Sequence, residues 1–138
     1  FYSESSSYSV YFKTIIKNLI NNYKCKIAYL TSSEDDKMLE ENNNLLNVFY
    51  IGNGSVRTIL FSTLNVKVMV MTMPDLNQSY IRRSIKNVHY VFLPHNICST
   101  HMVFNKGAFD HYDSFFCVGP HHVNELSESE KLLVKSLK

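Results

Sequence analysis

The stretch 66–73, Val-Lys-Val-Met-Val-Met-Thr-Met, is apolar at almost every position and lacks the alternation of a strand with one wet face. That pattern marks a strand buried on both faces, and such strands belong to parallel sheets covered by helices. Shorter runs over 26–31, 46–51, 88–93 and 114–118 read as further strands, and Phe1-Tyr2 as the end of one more. Helical stripes lie between them. Phe12, Ile15, Ile16, Leu19, Ile20 and Tyr23 recur at helical spacing and predict a helix over 8–22, with the serines at 3–7 as N-cap candidates. Val56, Ile59, Leu60 and Leu64 put an apolar stripe on a second helix over 55–64, entered through Gly52-Asn53-Gly54-Ser55. A brief helix is expected near 35–42 and at most one helical turn within 75–87. Another helix is expected from Pro120, where Ser127-x-x-Glu130 has the spacing of a capping box that would restart it. Strands alternating with helices predict an α/β domain, a Rossmann-like parallel sheet flanked by helices and joined by right-handed crossovers.

Composition bounds the function classes. With 138 residues, 45% hydrophobic and 19% charged, the chain fits one domain with a real core. A net charge of +2, with Lys13, Lys17, Lys24, Lys26, Arg82, Arg83 and Lys86 spread along the sequence, argues against a nucleic-acid partner, which selects a concentrated basic patch. Three cysteines, an odd number in a chain of this size, fit a reduced, cytoplasmic protein rather than a disulfide framework. No run approaches the ~18 apolar residues of a membrane span. The chain starts without Met on what reads as the end of a strand and stops within an amphipathic helix, so residues 1–138 are expected to be one domain of a larger protein.

All six histidines and two of the three cysteines fall within 88–122. Two strand runs there stop at turn residues followed by proton-active side chains: 88–93 at Pro94-His95, and 115–118 at Gly119-Pro120-His121-His122. In an open parallel sheet, ligands bind beyond the carboxyl ends of the strands. His95 is therefore either a general base facing that crevice or a loop histidine bonded to a backbone carbonyl. His95, Cys98 and His101 are spaced three apart, as metal ligands can be, but no paired CxxC or HExxH motif accompanies them, so no metal is expected. Cys98 and Cys117 read as small packing residues. His121 and His122 stand at a helix start, where free N–H groups favour an anion; a solvent-facing pair is the alternative. Asn53-Gly54-Ser55 is a poor dinucleotide fingerprint, so no NAD site is expected. Asp110 and Asp113 either orient His111 or cap a turn.

Several stretches, in order, resemble the amino-terminal half of the CDP-glycerol glycerophosphotransferase family, the polymerases and primases of teichoic-acid-type surface polymers. They are Phe1-Tyr2-Ser3-Glu4, Tyr29-Leu30-Thr31-Ser32, Thr72-Met73-Pro74-Asp75-Leu76, His89-Tyr90-Val91-Phe92, Ser99-Thr100-His101-Met102, and Gly107-Ala108-Phe109-Asp110-His111-Tyr112-Asp113 through Cys117-Val118-Gly119-Pro120-His121-His122. The similarity spans nearly the whole chain and is densest after Val66.

The resemblance implies a GT-B architecture in which this chain is the acceptor-side domain and a carboxyl-terminal domain binds most of the CDP-activated polyol donor. It implies His95 as the catalytic base, with Ser3, Glu4, Ser99, His101, Lys106, His121 and His122 around the acceptor or its phosphates. No cofactor is implied. The acceptor would be a polymer or a lipid-linked molecule, and the site of action the cytoplasm, with peripheral contact at the inner face of the cell membrane. In the teichoic polymerases a His-Gly pair follows the strand; here Asn96 follows His95, a departure that bears on the substrate more than on the fold. Two other classes remain: a GT-B transferase or epimerase using nucleotide sugars, and a non-catalytic, metal-binding domain.

Overall fold

The computed structural model describes residues 1–77, 80–95 and 104–136, with side chains to residue 131. Six strands, β1 (Tyr2–Ser3), β2 (Ile27–Thr31), β3 (Leu46–Tyr50), β4 (Val68–Met71), β5 (His89–Phe92) and β6 (Ser114–Phe115), form one sheet in the order β3-β2-β1-β4-β5-β6. Every pairing is parallel. Three helices flank it: α1 (Ser9–Tyr23), α2 (Ser55–Thr63) and α3 (Pro120–Ser136). This is the Rossmann-like α/β fold that the alternation predicts. The strands are shorter than their apolar runs because residues at the ends leave the ladder. In 114–118 only two residues pair with β5, and Phe116 and Val118 turn out to solvent.

Each face of the sheet has its own core. On one, Phe12, Ile16 and Ile20 of α1 recur every four residues and pack on Ile27, Tyr29, Leu46, Val70, Val91 and Leu93. On the other, Phe61 of α2 packs on Tyr2, Leu30, Met69, Met71, Tyr90 and Phe92. Met69 and Met71 point to the face opposite Val70, so β4 is buried on both sides, as its unbroken apolar run requires. Helix α1 ends at Lys24, whose left-handed backbone (φ 53°) lets its N–H bond back to the Ile20 carbonyl.

Three expectations change. The helix near 35–42 is a 3-10 turn, Lys37–Glu40, because Asp36 caps it with one oxygen (Met38 N–H, 3.0 Å) and accepts from the Tyr29 hydroxyl with the other (2.9 Å). Within 75–87, where at most one helical turn is expected, the described residues hold none, and Asp75 and Asn77 take positive φ. Helix α3 starts at Pro120 as expected but runs through Ser127 without a break, so the capping-box spacing marks no boundary. The stripe on α2 is rotated: Val56 and Ile59 are exposed at 73% and 64%, while Arg57 and Phe61 face inward.

A clamp closes the β5–β6 side. Asp113 accepts from the Tyr90 backbone N–H (2.7 Å) and pairs with Arg83 (3.0 Å), whose guanidinium lies 4.7 Å over the Tyr90 ring. Burial pushes the Asp113 carboxyl up, but the Tyr90 N–H and Arg83 outweigh it and hold the group below its ordinary value. Asp113 thus neither orients His111 nor caps a turn by itself; it joins two strands. The Tyr112 hydroxyl donates to the Met73 carbonyl (2.5 Å), and the Asp75 N–H donates to Ala108 (2.9 Å), fastening the 104–113 turn to the end of β4.

Candidate functional site

Strand order reverses between β1 and β4, and in such sheets the ligand crevice opens beyond the carboxyl ends at that reversal. Ser3, Glu4 and Ser5 follow β1, and Thr72 and Met73 follow β4. His95 follows β5, one strand away, yet its contacts draw it to the reversal. Its ring centroid lies 4.7 Å from Tyr8 and 5.8 Å from Tyr11, both in the segment leaving β1, and the Thr72 backbone at the end of β4 hydrogen-bonds it. Burial lowers the His95 pKa, and the Thr72 bond opposes the shift only in part. Burial thus favours the neutral form of the imidazole. Its Nδ1 is buried without a hydrogen-bond partner. A half-buried imidazole three residues beyond β5, with a ring nitrogen left unpartnered, is chemically a proton acceptor.

The other expected residues are dispersed. Ser3 is fully buried and its hydroxyl donates to the Ser5 carbonyl (2.7 Å), which holds the β1-to-α1 loop together. Glu4 accepts a hydrogen bond from the Tyr80 hydroxyl. Lys106 is exposed on the turn between β5 and β6. His121 is exposed on the first turn of α3, whereas His122 beside it is buried, 6% exposed, with Nδ1 unpartnered. Ser99 and His101, with Cys98, lie outside the described residues. Of the spaced trio His95, Cys98 and His101, only His95 is described, and among the described residues no three His, Cys, Asp or Glu side chains converge as metal ligands.

A second polar cluster occupies the same edge on the α2 face of the sheet, and nothing in the apolar stripe of α2 announces it. Arg57 is 6% exposed and has no carboxylate within salt-bridge distance among the described residues. Its Nη1 donates to Asn53 Oδ1 (2.6 Å) and to the Tyr2 hydroxyl (3.2 Å). The Ser32 hydroxyl donates to the Gly52 carbonyl (2.8 Å), so the 2.9 Å Tyr2–Ser32 bond has Tyr2 as donor. The Arg57 guanidinium also lies 4.3 Å from the Tyr80 ring centroid. Its Nε is buried with no partner. A buried donor left so costs about 1–3 kcal/mol. The one signal in the sequence is Arg57 standing four residues before Phe61, on the same side of the helix.

Comparison with protein-family models, with curated proteins and with solved structures returned no match for this chain. No helix among the described residues is long and apolar enough to cross a membrane. The class that fold and site define is a Rossmann-like α/β domain with one histidine drawn over its topological switch point.

Proposed function

We propose that the chain is the acceptor-side domain of an enzyme of the CDP-glycerol glycerophosphotransferase type, with His95 as its general base. The observation that supports this reading is the setting of His95 between the β1 and β4 ends, its neutral form favoured by burial and its ring beside Tyr8 and Tyr11. An acceptor hydroxyl entering the crevice gives its proton to His95 and attacks the β-phosphorus of the CDP-activated polyol. The new P–O bond forms as the phosphoanhydride bond breaks, CMP leaves, and the proton stays on the imidazole. In such a loose transition state the protein supplies mainly position and charge.

On this reading the donor is held by a second domain, and residues 1–138 alone turn over nothing. The test is transfer from CDP-glycerol to a polyol or polyol-phosphate acceptor by the protein that joins this domain to its donor-binding half, with UDP-sugars as competing donors. Release of CMP with phosphodiester formation supports the proposal. Turnover of UDP-sugars alone moves the protein to the glycosyltransferases, and release of neither nucleotide removes the catalytic reading.

A further inference from the structure

We propose that the N-terminus of α2 and the guanidinium of Arg57 form a phosphate-binding subsite, separate from the His95 crevice and on the opposite face of the sheet. Three observations carry it. Helix α2 begins at Gly54 with no side-chain cap, so the first-turn N–H groups of Ser55, Val56 and Arg57 have no partner within the helix. Asn53, a residue well suited to capping, spends its Oδ1 on Arg57 Nη1 instead. Arg57 is the second observation: a cation more than nine-tenths buried, surrounded by neutral oxygens and an aromatic ring, with Nε unsatisfied. A buried guanidinium is ordinarily paired with an anion, and none of the described carboxylates is in reach.

Space is the third. Gly54 has φ 144°, a backbone that only glycine adopts without strain, and a Cβ placed there would meet nothing within 4 Å. A tetrahedral oxyanion can thus approach the helix end along the side that Gly54 leaves open. Helix dipole and free N–H groups favour its charge. Tyr80, 42% exposed and tethered through its hydroxyl to Glu4, lies against the guanidinium. Glu4, the carboxylate tethered to that ring, opposes the anion electrostatically and tunes the affinity. A phosphate monoester fits this donor set better than a planar carboxylate or a diester, because its three terminal oxygens can meet the N–H groups and the guanidinium where the others offer two.

The experiment is a titration of the isotopically labelled chain with inorganic phosphate and, separately, with glycerol phosphate, followed by NMR at the Ser55–Arg57 amides and at the Arg57 Nε–H. Saturable shifts at these four resonances are expected with both anions. Tighter binding of the ester assigns the source as an organic phosphate, and equal binding assigns free phosphate. Arg57→Gln should weaken binding about tenfold or more, the loss of one charge-assisted contact. Glu4→Gln should strengthen it. Absence of saturation in the wild-type chain overturns the proposal, as does unchanged affinity in Arg57→Gln. Should that variant fail to fold, the Nε–H response of the wild-type chain decides alone. None of these readings depends on His95 or on transferase activity.

Discussion

The rings of Tyr8 and His95 lie 4.7 Å apart, although one leaves β1 and the other leaves β5. Strand order makes the meeting possible: β4 alone separates β1 from β5, so a loop crossing the carboxyl end of β4 brings the two together. Tyr8 is thus part of what buries the imidazole.

It follows that Tyr8→Ala should raise the His95 pKa toward the ordinary ~6.5, since burial is the dominant cause of its depression. The sign for stability is definite. A histidine whose folded pKa lies below its unfolded one leaves the fold fully stable above about pH 6.5 and weakens it as pH falls through that value, because the unfolded chain binds the proton more readily. NMR titration of the His95 ring in both proteins checks the shift, and urea midpoints across the same pH range check the linkage. An unchanged pKa in Tyr8→Ala would place the desolvation elsewhere.

Asp113 adds a second limb of the same sign at lower pH, since its folded pKa is also depressed. Its carboxyl is held below the usual range, so its contribution is complete above pH ~4 and disappears as pH falls through the depressed value. Asp113→Ala removes the acceptor of the Tyr90 N–H and the partner of Arg83 at once. A loss of about 1–3 kcal/mol at neutral pH is expected, the cost of stranding part-buried donors. The difference from wild type should vanish in acid. A constant difference down to pH ~2 would show that packing, not the charge, holds the clamp.

Helix α2 gives a test of orientation. Phe61→Ala should cost about 3–5 kcal/mol, as for a large aromatic removed from a packed core, and Val56→Ala should stay within about 0.5 kcal/mol. Denaturant melts of the two variants are enough. Equal losses would mean that Val56 is covered by something in solution.

That helix also shows what could be read from the sequence and what could not. Periodicity located α2 to within a residue, because helix formation depends on local spacing, but it assigned Val56 and Ile59 to the buried face. The error has a physical origin: a stripe is inferred from hydrophobicity, and here a buried arginine occupies one of the inward positions. The parallel sheet was legible because β4 must be apolar on both faces to lie in its middle. Strand order was not, since nothing local distinguishes β1 beside β4 from β1 at an edge. That a strand stops shortly before Pro94-His95 was visible; the approach of His95 to Tyr8, Tyr11 and Thr72 depends on that order and was not. Arg57, Asn53, Ser32 and Tyr2 come together only through the crossover from β3 to β4.

His95 carries the functional reading, and its replacement is the decisive variant. His95→Ala removes a half-buried ring that keeps one hydrogen bond, to the Thr72 backbone, while its Nδ1 has no partner, so a loss of about 1 kcal/mol in stability is expected. In the two-domain enzyme of the proposed function, turnover should fall by about 10²–10⁴-fold, the range for a positioned general base. The loss should sit in kcat with KM nearly unchanged, because the proton is taken only in the transition state. The wild-type rate should rise with pH along a limb whose midpoint is the depressed pKa of His95, and Tyr8→Ala should move that midpoint upward together with the NMR value. A variant that unfolds would make the histidine structural. One that folds and keeps more than about a tenth of wild-type turnover, well short of a general base's contribution, would take the base out of this crevice.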